Sequence, residues 1–125
     1  MSKLCILHVD DDENIRALTA LAFDLGNEAE VRSAASGAEA LRLLADGFRP
    51  DLLLLDVMMP DMDGPTLLRR IRERSMSTPA VFMTAQTQDH EVARLLGLGA
   101  IGVVIKPFDP LALGGQILGL LRGAA

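Results

Sequence analysis

The segment DLLLLDVMMPDMDG, residues 51–64, opens with the apolar run Asp51–Leu55 and continues into a second aspartate, Asp56. A short, near-continuous apolar run of this kind is typical of a strand that is covered on both faces of a sheet. Further runs favour four more strands, the last of them a weaker run predicted to lie at a sheet edge: Leu4–Val9, Ala80–Thr84, Ile101–Ile105 and Glu28–Arg32.

Helical patterns separate these runs. After the first run, apolar residues recur at helical spacing, and Gly26 stands where the residue after a helix end is expected. Ser36 to Glu39 has the spacing of a capping box, which predicts that a second helix begins there. The apolar residues predicted to face the core from these two helices are Ile15, Leu18, Ala22, Leu25, Ala40, Leu41 and Leu44.

Three more helices are predicted in the second half of the chain. Pro65 suits the first turn of one, and Asp109-Pro110 reads as an N-cap followed by the first helical residue of another. Between them, Asp89–Leu98 is predicted to be a helix. The residues predicted to face inward from these helices are Leu67, Leu68, Ile71, Val92, Leu95, Leu96, Leu113, Ile117, Leu118 and Leu121.

The alternation of strands and helices predicts an α/β fold of the (βα)5 type, an open doubly wound parallel sheet with helices on both faces. With 125 residues, the chain has the length of one domain. In such a sheet, ligands bind beyond the carboxyl ends of the strands. The residues that end the predicted strands are therefore the candidates for a functional site.

Composition excludes several classes of function. The formal net charge of −5 argues against direct binding of nucleic acid or an anionic membrane surface. A single cysteine, Cys5, allows no internal disulfide, and its apolar surroundings indicate a small core residue. The sequence contains neither a secretion signal nor an apolar run long enough to span a membrane, so we expect a cytoplasmic protein.

The predicted strand ends carry several acids, a hydroxyl and an amine. Strand one ends at Asp10-Asp11-Asp12, strand three at Asp56, strand four at Thr84 and strand five at Lys106. Clustered carboxylates repel one another and favour uptake of a cation, and Mg²⁺ prefers oxygen ligands and bridges carboxylates to phosphate. A carboxylate can accept a phosphoryl group, and an ammonium can pair with the phosphoryl oxygens. The set suits a divalent cation together with a phosphoryl group.

The sequence resembles the receiver domains of two-component response regulators, including the chemotaxis regulators. The resemblance lies in four segments that occur in the family's order and spacing, namely Val9–Arg16, Asp51–Gly64, Met83–Ala85 and Gly99–Phe108. It covers nearly the whole chain and implies strand order 2-1-3-4-5, a flavodoxin-like three-layer sandwich. Because this pattern uses all 125 residues, we expect a single receiver domain, 1–125, without an output domain, which is either a stand-alone regulator or a piece of a longer chain.

The resemblance also implies a role for each site residue. Asp56 is expected to be the phosphoacceptor, assisted by Thr84 and Lys106, and the Lys106-Pro107 bond is expected to be cis. The residues expected to hold Mg²⁺ are Asp11 directly, Asp10 through water, Asp56, and Met58 through its backbone carbonyl. Gln86 and the side chain of Met58 are expected to border the path of the water that hydrolyses the phosphate.

The family's partners follow from the same resemblance. The donor is expected to be a sensor histidine kinase or a phosphotransfer protein, and the reader a downstream protein or a detached output domain. Phosphorylation is expected to shift an inactive/active equilibrium. The leucine-rich last helix serves either core packing or a partner surface. Its apolar residues spread beyond one stripe, which favours a partner or homodimer surface on the fourth and fifth helices.

One position departs from the family pattern. Three residues before Lys106 the family usually has an aromatic residue, whereas this chain has Val103 and contains no tyrosine at all. The usual coupling between the hydroxyl residue and a rotating ring therefore cannot operate as such. The relay to the outer face is affected, whereas phosphorylation of Asp56 is not.

Alternatives to this reading concern single residues and whole functions. Taken alone, Asp10–Asp12 would serve as an acidic helix cap, Thr84 as an ordinary strand residue and Lys106 as a solvated charge. His8 is expected to be a core histidine and His90 to lie on an exposed helix face. An aspartyl-phosphate phosphatase of the haloacid-dehalogenase type would need a second aspartate where Met58 stands. A nucleotide-binding module would need a glycine-rich loop in place of the three acids after strand one.

Overall fold

In the computed structural model, which describes residues 3–26 and 29–124, five strands and five helices alternate along the chain. The strands form one parallel sheet in the order β2-β1-β3-β4-β5, as the sequence analysis predicted. The elements are β1 (Leu4–Val9), α1 (Glu13–Gly26), β2 (Ala29–Ala34), α2 (Gly37–Ala45), β3 (Leu52–Asp56), α3 (Gly64–Glu73), β4 (Ala80–Thr84), α4 (Asp89–Gly97), β5 (Gly102–Ile105) and α5 (Pro110–Ala124).

The sheet separates two apolar clusters because neighbouring residues of a strand point to opposite faces. In β3, Leu53 and Leu55 pack with α2, α3 and α4, whereas Leu52 and Leu54 pack with α1 and α5. All four leucines are fully buried. The leucine run is therefore the centre of a three-layer sandwich, which explains why it lacks the polar alternation of a half-exposed strand.

Strand bounds differ slightly from the predictions. Asp51 precedes β3 rather than belonging to it, and its carboxylate accepts a hydrogen bond from Cys5 N at 2.8 Å. The edge strand β2 extends to Ala34, and the predicted first residue, Glu28, lies outside the described residues. At the other edge, β5 begins at Gly102 rather than Ile101.

Side-chain caps mark the starts of α2 and α5. Ser36 Oγ accepts from Glu39 N at 3.1 Å, and the Glu39 carboxylate accepts from Ala35 N, so the predicted capping box forms, although its return bond reaches the residue before the cap. Asp109 Oδ1 accepts from Leu111 N at 2.9 Å, as expected of an N-cap ahead of Pro110.

Two predicted core positions are wrong. Leu25 in α1 is 62% exposed, and the buried residues of that helix are Thr19, Ala22 and Phe23. Leu96 in α4 is 43% exposed, so α4 buries Leu95 alone. Both errors arise because helical spacing identifies an apolar face but not how much of that face a neighbouring element covers. Gly26, predicted to follow α1, is its last residue.

The fold leaves a few large apolar side chains at the surface. Leu111 at the start of α5 is 83% exposed, while Leu113 and Ile117 of the same helix are buried. A partner or dimer surface on α4 and α5 stays a prediction. Among the described helices, none has the length and apolar character needed to cross a membrane.

Candidate functional site

The carboxyl ends of the strands meet at one edge of the sheet and surround a cavity of about 270 Å³. Asp10 directly follows β1, Asp56 ends β3, Thr84 ends β4 and Lys106 directly follows β5. Every residue that the sequence analysis assigned to the site lines this cavity, except Val103 and Pro107: Asp10, Asp11, Asp56, Met58, Thr84, Gln86 and Lys106.

Three carboxylates in the cavity lie close enough to share a cation. One oxygen from each of Asp10, Asp11 and Asp56 lies within 4.8 Å of the others. Asp10 is fully buried and Asp56 is 5% exposed, whereas Asp11 is exposed. Oxygen ligands of this kind on a partly open site fit Mg²⁺, which keeps some of its waters. The donor set therefore suits the metal that the sequence analysis predicted.

Asp10 is held by hydrogen bonds on all its oxygens. Its Oδ1 accepts from Asp12 N at 2.9 Å and its Oδ2 from Lys106 Nζ at 2.8 Å. Its backbone carbonyl accepts from Arg16 Nη1, also at 2.8 Å. This role of Arg16 was not predicted from the sequence. The sequence shows only that an arginine follows the acids by less than two helical turns. That spacing does not distinguish an arginine that donates a hydrogen bond within the site from one that is solvated.

Lys106 bridges the two buried carboxylates. Its Nζ lies 2.8 Å from Asp10 Oδ2 and 3.0 Å from Asp56 Oδ1. The backbone that positions it continues the sheet, since Lys106 N donates to Thr84 O at 2.8 Å, and the Lys106–Pro107 bond is cis. Burial acts to lower the pKa of Lys106, but the hydrogen bonds to Asp10 and Asp56 together outweigh it and raise that pKa. The ammonium therefore stays charged in the site.

The carboxyl of Asp56 is poorly suited to carry its charge without a cation. Burial raises the pKa of Asp56 to about 6, and the neighbouring Asp10 charge adds to the effect, while the hydrogen bond from Lys106 opposes it. One ammonium thus offsets only part of the repulsion and desolvation. A divalent cation beside Asp56 would offset the remaining repulsion between the carboxylates and the cost of burying their charge.

This imbalance leads to a stability prediction for Asp56→Asn. Because the folded pKa lies above the value of about 4 in an unfolded chain, ionised Asp56 destabilises the metal-free fold increasingly as the pH rises through about 6. The measured quantity is the unfolding free energy of Asp56→Asn minus that of the wild type, with EDTA present. This difference should be larger at pH 8 than at pH 4.5, by about 1–3 kcal/mol. Urea melts at the two pH values measure it, and an equal or smaller gain at pH 8 would contradict the assignment.

Thr84 lies at the end of β4, and its hydroxyl oxygen accepts a hydrogen bond. Thr84 is 2% exposed, and its Oγ1 accepts from Gln86 N at 3.0 Å, which ties the hydroxyl to the loop before α4. Met58 is 71% exposed at the cavity mouth, and Gln86 is exposed beside it. Val103 lies outside the cavity, half-buried against the cluster under α2, α3 and α4.

The turn between β3 and α3 brings the helix start unusually close to the site. Asp61 adopts φ +68°, and Asp63 Oδ1 caps α3 by accepting from Thr66 N at 2.8 Å. Gly64 N donates to Val57 O at 3.0 Å, and a Cβ on Gly64 would overlap the carbonyl oxygen of Asp56. The absence of a side chain at Gly64 thus allows α3 to begin close to the end of β3. Gly64 belongs to the segment that resembles the family, but this contact was not predicted from the sequence.

His8 is a core histidine, as expected. It is fully buried in β1, and neither ring nitrogen makes a hydrogen bond with the described residues. Burial lowers the pKa of His8 to about 4, so the ring is neutral near pH 7. Its Nε2 lies 3.9 Å from Asp10 Oδ2, too far for a hydrogen bond. His90 is exposed on α4.

Residues 6–117 match the family model described as the response regulator receiver domain. The transcriptional regulatory protein AfsQ1 of Streptomyces coelicolor is 41% identical over 118 residues, which are 94% of this chain and 51% of that protein. The alkaline phosphatase synthesis transcriptional regulatory protein PhoP of Bacillus subtilis is 35% identical over 94% of this chain and 48% of its own length. The chain thus spans about half the length of these curated relatives.

Solved structures are similar over nearly the whole chain. The chemotaxis response regulator CheY4 of Vibrio cholerae superposes with a TM-score of 0.85 at 30% identity, covering 95% of this chain and 99% of that one. The receiver domain of the Francisella response regulator 1452 superposes with a TM-score of 0.86 at 27% identity.

Proposed function

The chain belongs to the response regulator receiver domain family, whose membership implies phosphorylation-dependent signalling, and we propose that Asp56 is the residue that accepts the phosphoryl group. One observation carries the proposal. The Asp56 carboxylate lies at the open edge of the sheet, with the Lys106 ammonium 3.0 Å from one of its oxygens and two further carboxylates close by. A nucleophile, a fixed positive charge and a metal-binding oxygen set therefore share one cavity.

The proposed transfer is a single displacement at phosphorus. An oxygen of Asp56 attacks the phosphorus of a phosphohistidine on the donor protein, an O–P bond forms and the N–P bond breaks. The donor imidazole then takes up a proton. Phosphoryl transfer needs alignment and charge neutralisation more than covalent help. Lys106 can supply part of that neutralisation, because its Nζ already reaches the Asp56 carboxylate and would pair with the phosphoryl oxygens.

The residues that would hold Mg²⁺ are Asp11 and Asp56 directly, with the carbonyl of Met58, and Asp10 through water. The structure supports the indirect role of Asp10, since both of its carboxylate oxygens already accept hydrogen bonds. When bound, Mg²⁺ neutralises the carboxylates and the transferring phosphoryl group.

The proposed switch acts through Thr84. A phosphoryl group on Asp56 replaces a charge of about −1 by about −2 and adds strong acceptors, which would attract the Thr84 hydroxyl. That movement would break the hydrogen bond from Gln86 N and release the loop ahead of α4. Such a relay needs no aromatic residue at position 103. It would shift a pre-existing equilibrium between two conformations of the loop and α4.

The proposal makes the chain a switch rather than an enzyme with external turnover. The position two residues after Asp56, where a haloacid-dehalogenase-type phosphatase has its acid/base, is Met58, whose side chain cannot transfer a proton. We propose a histidine kinase or phosphotransfer protein as donor in the cytoplasm, and a downstream protein or output domain as reader. Two relatives are named as transcriptional regulatory proteins, but the net charge of −5 favours a protein as the direct partner here.

The test is incubation with acetyl phosphate followed by intact-mass spectrometry. The wild type should gain one phosphoryl group when Mg²⁺ is present and none in EDTA. Asp11→Asn should need at least about tenfold more Mg²⁺, since it loses a charged ligand. Asp12→Asn is the matched control, because the Asp12 carboxylate instead caps α1 through Asn14 N at 2.8 Å, and an asparagine still caps.

Two results would contradict the proposal. Equal incorporation in EDTA would remove the metal from the reaction. No incorporation, together with no binding of the phosphoryl mimic beryllofluoride, would remove the phosphoacceptor role itself.

A further inference from the structure

A groove runs from the phosphoacceptor rim along the space between α3 and α4. It consists of two adjoining cavities of about 710 and 370 Å³, which share Asp63 and Arg94 in their walls. The first begins at Met58 and Gln86, which also line the phosphoacceptor cavity, and the second ends at Leu98. Each is within the range of volumes in which proteins bind small ligands or peptide side chains.

The walls of the groove combine apolar and cationic groups. Met59 and Pro60 contribute apolar surface at one end, and Pro65 and Leu98 at the other, where Leu68 is buried. Leu98, which directly follows α4, is 48% exposed. An apolar side chain of a partner bound at either end would remove this surface from water.

Arginines are concentrated on this side of the molecule. Three of them, Arg69, Arg72 and Arg94, line the groove, against the two carboxylates of Asp63 and Glu91. The groove therefore carries an excess of positive charge, although the chain as a whole has a net charge of −5. Such a local reversal of sign attracts an anionic partner to this face.

Both carboxylates of the groove are already engaged within the domain. Asp63 caps α3 through Thr66 N, and Glu91 accepts two hydrogen bonds from Arg94, the shorter at 2.6 Å. Arg69, by contrast, is exposed and forms no ion pair or hydrogen bond with the described residues. Arg94 keeps a 50% exposed side chain, and its Nη1 donates to none of the described residues. The groove thus keeps free cationic donors on Arg69 and Arg94, whereas Asp63 and Glu91 each accept hydrogen bonds from within the domain.

We propose that the groove between α3 and α4 binds an acidic peptide segment of a partner protein, with carboxylates on Arg69 and Arg94 and an apolar side chain against Pro65 and Leu98. Guanidinium groups recognise carboxylates through paired hydrogen bonds, which makes them specific as well as attractive. The apolar ends of the groove supply the affinity that exposed charges alone lack. The surface lies beside the phosphoacceptor cavity, so a bound segment would also cover Met58 and Gln86.

A peptide fits these observations better than a nucleic acid. A nucleic-acid backbone needs a row of cations that follows its phosphates, whereas this groove places two carboxylates between its arginines. The remainder of the acidic domain would repel a polyanion longer than the groove. A short segment with two or three carboxylates and an apolar anchor avoids both conflicts.

The experiment is a display selection of random twelve-residue peptides on the unphosphorylated domain, without any phosphoryl donor. The selected peptides should be enriched in Asp and Glu and contain a large apolar residue, and their affinity should fall with rising salt. Enrichment of neutral or basic peptides, or no enrichment, would overturn the proposal. So would tighter binding of a twelve-nucleotide single-stranded DNA than of the selected peptides in the same assay.

Neighbouring arginines of α3 provide a matched pair of variants. Arg69→Glu should weaken the selected peptides at least about tenfold, which corresponds to about 1.4 kcal/mol. Arg70→Glu makes the same charge change one residue away, on an exposed side chain that does not line the groove, and should change affinity less than about threefold. Equal losses of affinity in both variants would mean that the peptides are attracted only to the net charge of α3, and would overturn the proposed binding in the groove.

The proposal does not rest on the phosphoacceptor role of Asp56. Peptide binding is measured without phosphate, and phosphorylation is measured without peptide. Failure of one experiment therefore leaves the other result standing.

Discussion

Asp56→Asn should reduce phosphoryl incorporation from acetyl phosphate with Mg²⁺ to the background seen without a donor. The carboxamide has no anionic oxygen to attack phosphorus and carries no charge for a cation. Asparagine has nearly the same size and shape as aspartate. The substitution should therefore leave the fold intact, although Asp56 is buried at the end of β3. Intact-mass spectrometry measures incorporation, and circular dichroism checks that the variant is folded.

Asp51→Asn is the matched control for this prediction. Asp51 directly precedes the opposite end of β3, and its carboxylate accepts a hydrogen bond from Cys5 N, which an asparagine oxygen can also accept. This variant should incorporate phosphate like the wild type. Wild-type incorporation by Asp56→Asn would transfer the acceptor role to another residue, and loss in both variants would point to a general effect of removing acids.

Gly64→Ala should destabilise the domain by about 1–3 kcal/mol, the range for forcing extra atoms into a packed region. The added Cβ would overlap Asp56 O and lie 3.1 Å from the Asp56 carbonyl carbon. These are backbone atoms, so no side-chain rotation relieves the overlap, and α3 must move away from the end of β3. Phosphoryl incorporation at Asp56 should fall as well, since the same movement displaces the acceptor.

Gly119→Ala is the control for the second prediction. A Cβ on Gly119 meets nothing within 4 Å, and the residue lies in the interior of α5. Alanine there should stabilise the domain by up to about 1 kcal/mol, because glycine loses more backbone entropy in a helix. Urea unfolding of both variants measures the contrast. Equal stability of the two alanine variants would show that the α3 start accommodates a side chain.

These predictions depend on sequence signals and tertiary contacts to different degrees. Asp56 is visible in the sequence because it ends an apolar run, and a strand of a doubly wound sheet presents its carboxyl end to the ligand site. Gly64 is visible only as a motif residue. Its contact with Asp56 O depends on how closely α3 approaches β3, which no local pattern states.

The order of elements and the positions of the strand ends were determined by the sequence itself. Apolar runs, capping residues and helical spacing are local properties of the sequence. The type and position of each helix or strand therefore depend largely on the residues of that segment. The acids, the threonine and the lysine could therefore be assigned to one edge of the sheet before any contact was known.

Tertiary structure alone decided which groups touch. The hydrogen bonds from Lys106 to Asp10 and Asp56 join residues 96 and 50 positions apart, and the groove between α3 and α4 collects arginines from two helices. Tertiary packing also left Leu25 and Leu96 exposed against the helical pattern. The physical reason is that distances and burial are set by packing among elements far apart in the chain, whereas periodicity and caps depend only on residues a few positions apart.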